Sequence, residues 1–371
     1  MEQRAVERVT IANAVTRRRF LAGCGGGLAG ALLAGRAPAL VRAAGASTPR
    51  KIRLALPWLF IGGHAFEFVA QQEGWKKRGL DVEILRGSGS GAAVKSVATG
   101  QTEFAEASVS VAVKGVADGL DVVAIAAKLQ KSPVGISCVG DVKDPRDVQH
   151  RRIVMTAAGG ERVLFPGFVR SLGLDESKLD MVIVAPDKLV STYLAGQADC
   201  SGIYLVSNGA VIQIRKPGTR TFLYADFGLD SLDLGFLATS KTVKGEPQLC
   251  RDFVDGALEG LKVQLLEPER ALEVMKRARP ELQREAPELL LQQLGNTNYL
   301  ALGPAAEQHG LGYMSPELQE QTRNVIIKYF DAKDLPPASR LFTNEFAGRI
   351  TLTAPEWAQA KTFAQRFAPK G

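Results

Sequence analysis

Residues 54–84 read LALPWLFIGGHAFEFVAQQEGWKKRGLDVEI. The opening residues belong to an alternating run, 52–57, that stops at Pro57, the pattern of a strand and its end. Phe66, Val69 and Ala70 share one side of a helical wheel, and with Trp75 near the end 65–77 is expected to be a helix with an apolar face. Gly79 breaks it, and 80–85 alternates again as a second strand. Two strands joined by one helix in so short a stretch make a parallel pair with a right-handed crossover.

The rhythm continues outward. Residues 87–91, GSGSG, form a loop opening a helix at 92–99; then come a strand at 103–107, a helix at 109–117 and a strand at 122–129. This order predicts a parallel sheet wrapped by helices. A strand at 134–139 follows, after which the pattern restarts: strands at 153–155, 181–184 and 202–206 alternate with helices at 161–172 and 189–196. Strands at 222–225 and 234–238 come next. From 247 onward the chain reads helical, chiefly over 249–266, 268–279 and 316–330. Two α/β units in succession, with a helical C-terminal return, predict two lobes.

The chain has 371 residues, 46% hydrophobic and 23% charged, which excludes a disordered or fibrous protein. Its formal charge of +7 is concentrated at one end: residues 1–46 hold seven arginines and two glutamates, leaving 39 basic against 37 acidic residues elsewhere. A nearly neutral body argues against a nucleic-acid partner.

That basic end is an address. TRRRFL at 16–21 precedes a Gly/Ala/Leu stretch to 33, and AGA at 44–46 offers small residues before Ser47. This describes an export signal, and paired arginines followed by Phe-Leu mark the twin-arginine class, which exports folded proteins. LAGC at 21–24 looks like a lipidation motif, but its apolar stretch lies behind it, so Cys24 is expected to stay unlipidated. Beyond residue 46 no run approaches the ~18 apolar residues of a membrane span. A soluble periplasmic protein is expected. Its three remaining cysteines, Cys138, Cys200 and Cys250, are widely spaced in apolar surroundings and read as buried, unpaired small hydrophobes. No metal is expected, since His64, His150 and His309 lack the short spacings of zinc sites.

Binding chemistry is expected at strand ends. GSGSGA at 87–92 satisfies the dinucleotide pattern G-x-G-x-x-G/A. It follows the second strand rather than the first, however, and Glu103 and Glu106 come early for a ribose-binding acid. Tyr329 and Lys333 have a dehydrogenase spacing but sit at an acidic helix end, so no cofactor is expected. The plainer reading is a polar or anionic group held by backbone N–H groups at a helix start. Three other loops share the habit: 58–64 through Gly62-Gly63, 107–110 through Ser108 and Ser110, and 156–161 through Gly159-Gly160. Loops at the carboxyl ends of parallel strands converge on one crevice.

Residues 54–84, SVATGQTEFAEAS at 96–108, LAGQADCSGIY at 194–204, YADFGLDSLDLGFLATSKTV at 224–243 and PQLCRDFV at 247–254, taken in that order, resemble bacterial solute-binding proteins of the nitrate, sulfonate, taurine and thiamine-precursor type. The resemblance implies the type II periplasmic-binding fold, α/β with two parallel-rich sheets joined by two crossover strands near 134–139 and 228–237. Lobe 1 would be 47–139 with 227–371, and lobe 2 would be 140–226. It further implies a monomer that captures a small molecule and delivers it to an ABC permease and its ATPase. The ligand would lie between Trp58, His64, Ser88, Gly89, Ser90, Gly91 and Ser108 on one side and Thr156, Gly160, Glu161 and Tyr204 on the other. Trp58 would stack on a flat ligand, His64 donate to it, Glu161 meet an amine and Tyr204 cover it; Asp226, near a hinge, is a weaker candidate. A thiamine-type pyrimidine suits that set first, an aliphatic sulfonate or other organic anion second. Two other classes stand beside the importer: an exported enzyme related to thiamine-pyrimidine synthesis, whose cysteine cluster is absent here, and a ligand-binding periplasmic sensor.

Overall fold

A computed structural model of the chain describes residues 48–368 apart from 331 and 333. The export segment, its cleavage site and Cys24 lie outside the described residues, as does Lys333.

The chain builds two five-stranded sheets. The first contains β1 (Arg50–Ala55), β2 (Leu80–Leu85), β3 (Phe104–Ala107) and β4 (Val123–Leu129). The second contains β5 (Val134–Cys138), β6 (Arg152–Thr156), β7 (Asp180–Val184), β8 (Cys200–Tyr204) and β9 (Arg220–Leu223). The chain changes sheet over 130–133 and returns over 224–232 to add β10 (Asp233–Ala238) to the first.

Strand order explains where the site falls. The first sheet runs β2-β1-β3-β10-β4 and the second β7-β6-β8-β5-β9. β10 pairs antiparallel with both β3 and β4, and β5 pairs antiparallel with both β8 and β9. Each sheet is therefore four parallel strands with one antiparallel strand inserted, contributed by the segment that follows a sheet change. The β-α-β pattern predicts the four parallel strands, but only the return of the chain creates the insertion. Because the four share a direction, their carboxyl-end loops gather at one edge of each sheet.

The helical return supplies cover and core. Trp75 stacks on Phe253 of the helix Pro247–Leu266, ring centroids 5.2 Å apart, and its indole N–H donates to the Phe253 carbonyl at 2.7 Å. The helix Pro287–Ala301 ties both sheet regions together: Gln293 Oε1 accepts from the Gly62 N–H at 3.0 Å, while Asn296 Nδ2 donates to the Leu205 carbonyl at 2.9 Å. Among the described residues, no helix is long and apolar enough to cross a membrane.

One expectation is overturned. Cys138 and Cys200 are joined in a disulfide, and only Cys250 is a free, buried thiol among the described cysteines. Both paired residues are fully buried, as expected. Their partnership comes from register: β5 runs antiparallel to β8 with Cys138 directly opposite Cys200. Sixty-two residues separate them in sequence, so no local pattern announces the pair. Smaller departures occur at the ends of β8 and β9, where the expected strands 202–206 and 222–225 close earlier into a wide helical turn at Leu205–Gly209 and a tight one at Tyr224–Phe227.

Candidate functional site

A cavity lies between the two sheets, lined by residues from both. Seven residues singled out from the sequence line it: Trp58, His64, Gly89, Ser90, Gly160, Glu161 and Tyr204. They sit at the carboxyl end of β8 (Tyr204) and in the segments that follow β1, β2 and β6, the strand ends that the parallel order brings together. Two more stand one bond behind the wall. Ser108 donates its backbone N–H to Ser90 Oγ at 3.1 Å, and Thr156 donates its hydroxyl to Glu161 Oε1 at 2.9 Å. The remaining two differ: Ser88 is exposed on an outer groove, and the Gly91 N–H is taken by the Ala158 carbonyl at 3.0 Å. Asp226 is exposed and does not line the cavity.

The Gly91–Ala158 bond joins the loop after β2 directly to the loop after β6. Gly89 makes that approach geometrically feasible. Its φ of 140° is open to glycine, and a Cβ there would sit 2.3 Å from the Ala158 oxygen. At Gly160 a Cβ would sit 1.8 Å from the Tyr204 hydroxyl, so any side chain there would have to displace the Tyr204 ring from its place against the loop. The dinucleotide-like motif is thus used for close contact between loops.

On the first sheet's side the wall carries charges that local sequence patterns did not single out. Lys128, in β4, lines the cavity and donates to Glu106 Oε1 at 2.9 Å, with Glu67 Oε1 at 3.7 Å and the Phe66 ring centroid at 4.8 Å. His64 Nε2 lies 3.8 Å from Glu106 Oε1. All four polar residues are at most 3% exposed. Burial, reinforced by the Lys128 charge, lowers the His64 pKa to about 3, so the ring is neutral. Burial raises Glu67 well above the usual carboxylate range. Burial is the largest influence on Glu106 and would raise it, but the Lys128 charge, a hydrogen bond with Glu67 and the neighbouring His64 together hold it low. Burial thus favours the neutral forms of His64 and Glu67, while Lys128 and Glu106 form the cluster's close ion pair, so that each buried charge has a partner. The ligand atoms of His64, Glu67 and Glu106 lie within 4.8 Å of one another. That is a metal-like constellation, but Lys128 supplies the positive charge beside it.

On the second sheet's side, burial raises the Glu161 pKa against the opposing hydrogen bond from Thr156. Burial likewise holds the Tyr204 phenol protonated, and its hydroxyl lies 3.5 Å from Ser90 Oγ. Ser207 and Asn208 line the cavity from the turn after β8; Asn208 Oδ1 accepts from the Tyr204 N–H at 2.8 Å. Where β10 begins, Asp233 accepts from Ser108 and Ser132, both at 3.2 Å, and from the Leu234 N–H at 2.7 Å. Burial pushes its pKa up to about 7. Leu234, which lines the cavity, has a φ of 30°, rare for a branched side chain. Backbone strain of this kind persists where surrounding contacts over-determine it.

Lys128 and Glu106 were legible in one respect: charged residues within strands otherwise wholly buried seldom occur unpaired. Leu234, Ser207, Asn208 and Thr297 carried no such signal.

Comparison with known proteins fits this geometry. The family described as NMT1/THI5 like matches residues 62–271, more than half of the sequence, and the chain belongs to that family. No curated protein sequence matches it. Solved structures share its fold at low identity. A protein of Bordetella bronchiseptica RB50 is 15% identical with a TM-score of 0.66, covering 86% of this chain and 98% of its own. The alkanesulfonate-binding protein SsuA from Xanthomonas axonopodis pv. citri, bound to MOPS, is 12% identical with a TM-score of 0.59, covering 80% and 99%. The periplasmic nitrate-binding protein NrtA from Synechocystis PCC 6803 is 13% identical with a TM-score of 0.55, covering 86% and 89%. The architecture is the type II periplasmic-binding fold.

Proposed function

We propose that this chain is the solute-binding component of an ABC importer. As a monomer in the periplasm, it takes a small organic molecule between its two sheets and passes it to a membrane permease driven by an ATPase. The observation that carries the reading is one cavity lined jointly by carboxyl-end loops of both sheets and bridged by the Gly91–Ala158 bond. Because β5 pairs within the second sheet, the bound expected at 139 moves to the first sheet change: 47–133 with 227–371 act as one lobe and 134–226 as the other, turning about the two sheet changes. The disulfide supports an oxidising compartment, and the arginine-led N-terminus supports export by the twin-arginine route.

The favoured ligand is a flat ring bearing an amine, of the thiamine-pyrimidine type. Trp58 offers an aromatic face, Tyr204 a cover, and Glu161 an acceptor for the amine. An alkanesulfonate is the second reading, favoured by the neighbouring structure named for such a ligand.

Calorimetric titration separates them. 4-Amino-5-hydroxymethyl-2-methylpyrimidine is expected to bind at 1:1, weakened about tenfold or more by Trp58→Ala. Glu161→Gln should weaken the pyrimidine and leave a sulfonate unaffected or improved, because a negative charge has gone. If neither ligand binds the wild type, and the variants leave any ligand recovered with the protein undisturbed, the cleft assignment is wrong.

A further inference from the structure

We infer that Lys128 selects the ligand, its ammonium donating to a hydrogen-bond acceptor on a molecule that is neutral overall. This rests on the solute-binding reading and narrows its substrate class. Lys128 has three N–H donors and makes one hydrogen bond to protein, to Glu106 at 2.9 Å; Glu67 stands at ion-pair distance, 3.7 Å. The side chain is 3% exposed and lines the cavity. A buried ammonium with donors to spare is costly unless something accepts from it. The Phe66 ring, its centroid 4.8 Å away, faces the ammonium but is no full substitute for an acceptor, and the residue borders the cavity, where a ligand can supply one. Among the described residues lining it, Lys128 is the one that carries a fixed positive charge, and Glu106 already balances it.

That balance restricts the occupant. A fully anionic ligand would bring a second negative charge into a site already holding Glu106 and facing Glu161. A fully cationic one would meet Lys128. An uncharged heteroaromatic ring with a lone-pair nitrogen satisfies Lys128 without either conflict. Glu161, which lines the same cavity from the second sheet's side, would accept from an amine on such a ring. Glu67 stands farther from the ammonium, at 3.7 Å against 2.9 Å for Glu106, and burial pushes it towards its neutral form, so Glu106 is the main counter-charge.

The test pairs a change in ligand with a change in protein. The probes are 4-amino-5-hydroxymethyl-2-methylpyrimidine, its carbocyclic analogue with both ring nitrogens replaced by CH, and ethanesulfonate. The protein variant is Lys128→Met combined with Glu106→Gln, which removes both partners of the buried pair and so strands neither charge. Wild type should bind the pyrimidine about 10–100-fold more tightly than the carbocycle, the range for a hydrogen bond from a charged donor. In the double variant that preference should shrink to within about threefold while carbocycle affinity holds; a merely structural role for Lys128 would weaken both ligands alike. A preference that survives in the variant overturns the inference and leaves the importer reading standing. Equal binding of pyrimidine and carbocycle by wild type overturns it without recourse to the variant, as does tighter binding of ethanesulfonate. Binding of no probe by wild type removes the ligand class and the inference with it.

Discussion

Breaking the Cys138–Cys200 bond gives the most quantitative check on the second sheet. The cysteines face one another across the central pairing of β5 with β8, and the bond closes a loop of 62 residues. Loop-closure entropy for that length corresponds to about 4 kcal/mol at 25 °C. With an unfolding entropy of about 2.1 cal/mol/K per residue over roughly 320 residues, this is a fall of about 6 °C in Tm. The assay is thermal unfolding by circular dichroism of residues 47–371, oxidised and reduced, beside a Cys138→Ala/Cys200→Ala variant. Reduced wild type and the variant should both melt several degrees below the oxidised protein, with Cys250→Ala still sensitive to reductant. Thiol titration of the unfolded, unreduced protein should find one thiol, that of Cys250, and three after reduction. Three free thiols before reduction, with no change in Tm on adding reductant, would refute the pairing and the register that produces it.

Three further outcomes are expected. Gly89→Val should break the Gly91–Ala158 contact, because a Cβ would meet the Ala158 oxygen at 2.3 Å; ligand affinity should fall in protein that circular dichroism shows to be folded, and retained affinity would separate that contact from binding. Asp233, whose pKa is raised from 3.8 to about 7, binds a proton in the folded state that the unfolded state has released. Its contribution therefore declines as pH rises from about 4 to 7, at up to about 1.4 kcal/mol per pH unit. His64, lowered to about 3, works in the opposite sense below pH 6.5, so the test is the difference between wild type and Asp233→Asn in urea unfolding; parallel stability curves would contradict it. Arg17→Lys with Arg18→Lys should hold the precursor in the cytoplasm, since the twin-arginine machinery requires the guanidinium pair; undiminished periplasmic product would exclude that route.

The fold was legible where its causes are local. Alternation and 3.6-residue periodicity placed the strands and helices between 52 and 129, and Pro57, Gly79 and the GSGSG loop marked their ends. Parallel order then implied that loops after β1, β2 and β6 would meet, which is where Trp58, His64, Ser90 and Glu161 converge. What stayed hidden depends on long-range return of the chain. The insertion of β10 between β3 and β4, the facing of Cys138 and Cys200, and the strain at Leu234 are set by pairings between distant segments. Ser88 and Gly91 show the limit of reading a loop as a unit. Neighbours in sequence point to an outer groove and to the opposing loop, while Ser90 between them reaches the cavity. Lys128 escaped because β4 reads as a buried apolar strand, and its partners lie on a different helix and a different strand.

The central claim, capture of one small molecule between the sheets, is tested most directly by native mass spectrometry of the mature chain purified without unfolding. One adduct of small-molecule mass per chain is expected, lost on denaturation and restored when refolded protein meets 4-amino-5-hydroxymethyl-2-methylpyrimidine. Gly160→Val, which drives a side chain into the Tyr204 hydroxyl, should neither carry nor regain it. A chain that emerges bare and takes up neither this pyrimidine nor an alkanesulfonate, or a Gly160→Val variant that binds as wild type does, would contradict the account.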